Sequence, residues 1–192
     1  MDVNRVELQV KLYLLDGGVE YHETMQKSGE PAIQQTAWIL DHARGRGEYT
    51  VAEIFRLNLE REAFRAKALL HWNATQQRTS TGRPVDAILC PIAPTLAPPH
   101  DTTSWWGYSS HWNVLDLPAA VFPVGRHKFD EALPQSRNGI VFAEWQSSTY
   151  DNAPVSLQLV GRRHNEERLL AMLDVVENVV GNRTSNQSAE VM

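Results

Sequence analysis

The chain reads Asp86-Ala87-Ile88-Leu89-Cys90-Pro91 and, after a segment dense in proline, histidine and tryptophan, Pro118-Ala119-Ala120-Val121-Phe122-Pro123-Val124-Gly125. Two short apolar runs, each bounded by proline or glycine, have the form of strands buried on both faces. A third run, Pro154-Val155-Ser156-Leu157-Gln158-Leu159-Val160-Gly161, carries the same punctuation and opens onto a strongly helical segment. The remaining sequence leads to these three runs or covers them.

Downstream, Asn165 is placed to cap a helix beginning Glu166-Glu167, whose acidic side chains suit the positive end of the helix. Leu169, Leu173, Val176 and Val180 give its buried stripe and Gly181 its end, leaving residues 182–192 as a flexible tail. Upstream, Thr50-Val51-Ala52-Glu53 is a capping box, in which each end side chain satisfies the other residue's free backbone N–H. The segment from there to about Gln76 lacks glycine and proline, which predicts a helix roughly 40 Å long. Ile54, Leu57, Phe64, Ala68 and Trp72 trace its apolar stripe, and Phe55, Leu59, Ala63 and Leu70 widen it. The charges of Arg56, Glu60, Arg61 and Arg65 form a solvated or interface face. Further upstream, residues 3–15 space Val3, Val6, Val10 and Leu14 helically before Asp16-Gly17-Gly18. A second short helix spans about Val19 to Gln26. Ala37 to Leu40 makes a turn of helix before Gly45 and Gly47.

Between the first two runs, Pro98-Pro99 and Trp105-Trp106-Gly107-Tyr108 predict a long ordered loop. Residues 125–154 are less apolar, with a short strand expected around Ile140 to Ala143. Helices, then widely separated strands, then strand-to-helix is an α/β order. Three strands this apolar imply neighbours that the rest of the chain does not supply, so the sequence reads as part of a larger sheet.

Composition narrows the function. The 192 residues carry a net charge of −5 without a basic stripe, which argues against nucleic acid. No apolar run is long enough to span a bilayer, and Met1-Asp2-Val3-Asn4-Arg5 has no signal pattern, so a cytoplasmic location is expected. Cys90 is the single cysteine, and the seven histidines form no i, i+4 pair with a carboxylate, so neither a disulfide nor a metal site is expected.

Asp86 to Pro91 with Ala97-Pro98-Pro99-His100-Asp101 resembles the late core of amidase-signature hydrolases. So do Trp112-Asn113-Val114-Leu115-Asp116-Leu117-Pro118-Ala119 with Phe122-Pro123-Val124-Gly125, and Pro154 to Arg163 with Glu166-Glu167. Asp16-Gly17-Gly18 and Ser28-Gly29-Glu30-Pro31 fit the fungal acetamidase and fatty-acid-amide-hydrolase branch, and the resemblance covers nearly the whole chain, residues 1–181. It implies the C-terminal part of an α/β/α fold around a mixed β-sheet, incomplete in this chain. It also implies hydrolysis of a small-molecule amide by a Ser–cis-Ser–Lys triad, with no cofactor. In that chemistry the lysine accepts a proton through the bridging serine, the second serine attacks the carbonyl, and backbone N–H groups hold the oxyanion.

The triad itself does not carry over. Ser109-Ser110 and Ser147-Ser148 lack the flanking glycines of the family's signature, and Lys11, Lys27, Lys67 and Lys128 stand in none of its lysine contexts. No catalytic residue is therefore assigned, and the chain alone is expected to be inactive. His100-Asp101 reads as a loop turn rather than two thirds of a Ser/His/Asp triad, and Cys90 as a core thiol. The resemblance puts Trp106, Trp112 and Asn113 near the substrate pocket. The aromatic cluster either walls an apolar substituent or caps the sheet; Asn113 reads as structural before substrate-binding. A second reading of the chain is a non-catalytic interaction module, or a partner completing an amidase in trans. In either case, association with itself or with an amidase partner would run through the exposed apolar sheet.

Overall fold

A computed structural model describes residues 3–43, 47–102, 106–129 and 147–189. The chain divides into two compact units, residues 1–72 and 73–192.

The first unit is helical. α1 (Val3–Tyr13), α2 (Val19–Ser28) and α3 (Gln34–Ala43) enclose a small core of Val10, Leu14 and Leu40, with Val6, Met25 and Ile39 packed against it. Val6, Val10 and Leu14 are the spacing that made α1 legible. The α1–α2 corner depends on Gly17, with φ at 71°, where a Cβ would lie 2.9 Å from the carbonyl carbon of Gly47. Asp16 organises the start of α2: its two carboxylate oxygens accept the backbone N–H groups of Gly18 at 2.9 Å and Glu20 at 2.8 Å. α2 then runs to Ser28, past Gln26, and ends at Gly29 in the left-handed conformation. α3 is a full helix where a single turn was expected. Trp38 and Leu40 sit in its middle, and Gly45 lies outside the described residues.

α4 (Val51–Ala74) starts at the capping box: the Thr50 N–H donates to Glu53 Oε2 at 2.9 Å and the Glu53 N–H to Thr50 Oγ1 at 3.3 Å. Leu57 and Trp72 are buried and Ile54, Phe64 and Ala68 half-buried, as the stripe predicts. The expected widening is not observed. Phe55 is 66% exposed and Leu59 71% exposed, and Ala63 and Leu70 are exposed with them. They belong to a second apolar stripe, on a different side of the helix.

The second unit holds the sheet. β1 (Ile88–Pro91), β3 (Pro154–Val160) and β2 (Ala119–Arg126) lie in that order with every pairing antiparallel, giving a mixed α/β arrangement. In register, Leu159 sits between Leu89 and Ala120, and Gln158 between Cys90 and Val121. One face therefore carries Leu157, Leu159, Ala120 and Phe122, and α6 (Glu166–Ala189) packs on it through Leu169, Met172, Leu173, Val176 and Val180. Gly161 allows that approach, since a Cβ there would meet Leu169 at 3.2 Å. α6 continues through Gly181 to Ala189 rather than ending at the glycine.

Two other expectations are corrected. The strands are not buried on both faces: Leu89 and Val121 are each 53% exposed, because β1 and β2 are the outer strands of a three-stranded sheet. The connection between β1 and β2 is not all loop, for α5 (Gly107–Leu115) lies within it. Gly107, Ser110, Val114 and Leu115 are its buried residues, at helical spacing. Gly and Ser make that stripe weak by hydrophobicity, so tertiary packing rather than propensity holds it. The strand expected near Ile140 falls outside the described residues.

Candidate functional site

The second face of the sheet carries Cys90, Gln158 and Val160, and the start of α5 reaches it. Gln158 is 1% exposed, a polar side chain in the middle of an apolar strand. Such a group is tolerable only with its hydrogen bonds made. Its Nε2 donates to the carbonyl of Pro91 at 2.8 Å and to the carbonyl of Tyr108 at 3.0 Å. Both amide protons are thereby used, one on the last residue of β1 and one in the first turn of α5.

Trp106 immediately precedes α5. Its carbonyl accepts the backbone N–H groups of Ser109 and Ser110 and the Ser109 hydroxyl at 3.0 Å, which starts the helix without a side-chain cap. Asp116 ends α5 in the left-handed conformation, with φ at 58°. Trp112 has its indole N–H buried with no hydrogen-bond partner among the described residues. The Trp112 side chain is among the groups that pull the Cys90 thiol down against its burial. Asn113 is exposed. Adjacent helix residues point about 100° apart, so Trp112 and Asn113 do not share one wall.

Burial pushes the Cys90 thiol up, against the opposing pull of the Gln158 and Trp112 side chains. A thiol held protonated is a poor nucleophile, so Cys90 behaves as part of the packing. His100 and Asp101 are exposed at a turn, where Asp101 has φ at 62° and the Thr102 hydroxyl donates to the Pro99 carbonyl at 2.7 Å. That is the turning role expected of them. Among the described residues no group of three His, Cys, Asp or Glu side chains is placed to hold a metal ion, and no helix is long and apolar enough to cross a membrane. The arrangement forms a braced surface, an aromatic-bearing helix tied to a strand, rather than a reacting pair of side chains. Gln158 is the residue that sequence reasoning did not single out; a polar residue at the centre of an apolar run was its signal.

Residues 10–170 match the amidase family model. The chain is similar to an amidase of Gibberella zeae, 33% identical over 171 residues that make up 82% of this chain and 31% of that protein. It is similar to an acetamidase of Aspergillus oryzae, 31% identical over 92% of this chain and 33% of that protein. Among solved structures it resembles fatty acid amide hydrolase, with a TM-score of 0.69 and 26% identity, over 93% of this chain and 32% of that one. The chain thus spans about a third of the length of the relatives it matches.

Proposed function

The chain belongs to the amidase family, and from that premise we propose that it is the C-terminal third of a carboxamide hydrolase. The Ser–cis-Ser–Lys triad lies in the other two thirds, and this chain contributes the braced surface beside the substrate. On this reading Trp106 and Trp112 stand near the amide's acyl or amine substituent. Names of the relatives bound the substrate class between acetamide and fatty acid amides. Hydrolysis then releases an amine or ammonia from a small amide, with the nucleophile, bridging serine and lysine all supplied from outside this chain.

The observation that carries the reading is the exposed apolar surface. Val51, Phe55, Leu59 and Leu70 are open along α4, and Leu89 and Val121 on the outer strands of the sheet. Along α4 these residues make a contiguous apolar stripe, which marks a surface that is covered elsewhere. The other two thirds of an amidase would cover it.

The test is complementation. The chain is expressed with a polypeptide covering the remaining two thirds of the Gibberella zeae amidase, and ammonia release from acetamide and a longer aliphatic amide is followed. The expected result is no hydrolysis by the chain alone and hydrolysis by the associated pair. Turnover by the purified chain alone would refute the assignment of the triad; failure of the two polypeptides to associate would refute the assignment of the surface.

A further inference from the structure

The hydrogen bonds of Gln158 have a consequence beyond satisfying one buried side chain. A single nitrogen binds Pro91, where the chain leaves β1, and Tyr108, where it enters α5. Those two carbonyls are the neck of the connection that carries Trp106. We propose that Gln158 is a positioning residue: by clamping both ends of this connection to the central strand it fixes α5, and with it Trp106 and Trp112, at the substrate-facing surface.

Three features support this. Gln158 lies on β3, paired on both sides by β1 and β2, so the clamp is anchored to the most constrained strand of the sheet. α5 is weak by itself: it has nine residues, below the length at which helices persist alone, and no side-chain cap at its start. The bonds span 67 and 50 residues of sequence; the one to Pro91 reinforces the β1–β3 ladder, whereas the one to Tyr108 ties α5 to β3, which no ladder hydrogen bond does. Besides the clamp, α5 is held by the packing of Gly107, Ser110, Val114 and Leu115, two of which bring little apolar surface, and at its C-terminal end by the ion pair of Asp116 with Arg163. With the Gln158 amide removed, the Pro91 and Tyr108 carbonyls lose their donor, which favours loosening the connection so that water replaces the lost bonds.

The substrate side of this proposal rests on the function proposed above; the placement of α5 does not. Placement is tested first on the 192-residue chain by amide hydrogen exchange, comparing wild type with Gln158→Met, which keeps the side chain's length and volume and removes both donors. The expected result is exchange about tenfold or more faster across residues 109–116, with β2, β3 and α6 unchanged. Unchanged protection of α5, or equal loss of protection in every element, overturns the proposal. Should Gln158→Met not fold, the wild-type side chain decides. By NMR its two carboxamide protons should exchange slowly and show proximity to Pro91 and Tyr108, and exchange at the rate of a free carboxamide overturns the clamp. In the complemented pair, Gln158→Met should raise KM for a long-chain amide more than for acetamide, with kcat held. An equal change for both substrates would remove the substrate role and leave the placement result standing. Lack of activity in the wild-type pair would count against the proposed function alone.

Discussion

Replacing Phe55 and Leu59 together by glutamine should leave the isolated chain as stable as before and abolish tight association with the rest of an amidase. Phe55 is 66% exposed and Leu59 71% exposed, so about two thirds of each side chain remains in water. Glutamine has nearly the helix propensity of leucine, and exposed substitutions of this kind change stability by less than about 0.5 kcal/mol. The melting temperature of the double variant should therefore stay within about 2 to 3 °C of the parent. Association is another matter. Full burial of a phenylalanine or leucine side chain is worth about 1.5 to 3 kcal/mol. With two thirds left to bury, each would contribute about 1 to 2 kcal/mol at the interface, and the pair about 2 to 4. At 1.4 kcal/mol per tenfold, affinity falls by about thirty- to a thousandfold. Calorimetric titration against the complementing polypeptide reads that loss, and a thermal melt of the chain alone reads the control. A melting temperature lowered by ten degrees or so would mean that these side chains already stabilise this chain, and unchanged affinity would mean that nothing covers them. Either result refutes the reasoning.

Three other outcomes follow from local structure. Phe122→Ala empties the centre of the cluster with Leu159 and Leu169, where Phe122 is 1% exposed; it should cost about 3 to 5 kcal/mol in urea unfolding, and a loss under about 1 kcal/mol would mean the core collapses around the gap. The Asp16 carboxyl is held below its ordinary value of 3.8, chiefly by the Glu20 backbone N–H and then by that of Gly18. A carboxyl depressed in the folded state contributes stability that is present above the ordinary value and lost as pH falls through the lowered one. The first turn of α2 should thus keep its exchange protection to below about pH 4 and lose it under further acidification, whereas Asp16→Ala should lack it at neutral pH. Burial raises the Cys90 thiol, so alkylation by iodoacetamide at mildly alkaline pH should be slower than that of a free cysteine and should reach the free rate on unfolding; a rate as fast in the native chain would show the thiolate to be accessible.

The sequence made the long-range frame legible where one signal dominates. The capping box at Thr50 and Glu53, the Val6–Val10–Leu14 spacing and the three punctuated strands appear where the residues put them. α5 was not legible, because Gly107 and Ser110 carry two positions of its buried stripe and neither registers as apolar. Nor was the role of Gln158, since the bonds that give it meaning go to residues 50 and 67 positions away. Periodicity reports what a residue prefers to bury against, not the carbonyl across the sheet that makes burial of an amide acceptable. Of the candidate pocket residues Trp112 and Asn113, the first has its indole N–H buried and the second faces solvent. The linear motif that holds them side by side hides that divergence.

The same limit explains α4. Its sequence places apolar residues on two sides: Ile54, Leu57, Phe64, Ala68 and Trp72 on one, and Val51, Phe55, Leu59 and Leu70 on another. Read as one broad stripe, they predict a helix with a single wide buried face. The structure separates them into a covered stripe and an open one. A surface helix of a self-sufficient domain turns a polar face outward, whereas a helix apolar on two sides fits between two layers. Arg56 and Glu60 lie in one gap between the stripes, and Arg61 and Arg65, about 140° further round, border the covered stripe, so the charges of α4 form no single outward face. On the proposed reading that second layer would come from the other two thirds of an amidase, since the chain spans about a third of each relative. On that reading, the open stripe of α4 takes its meaning from those other two thirds.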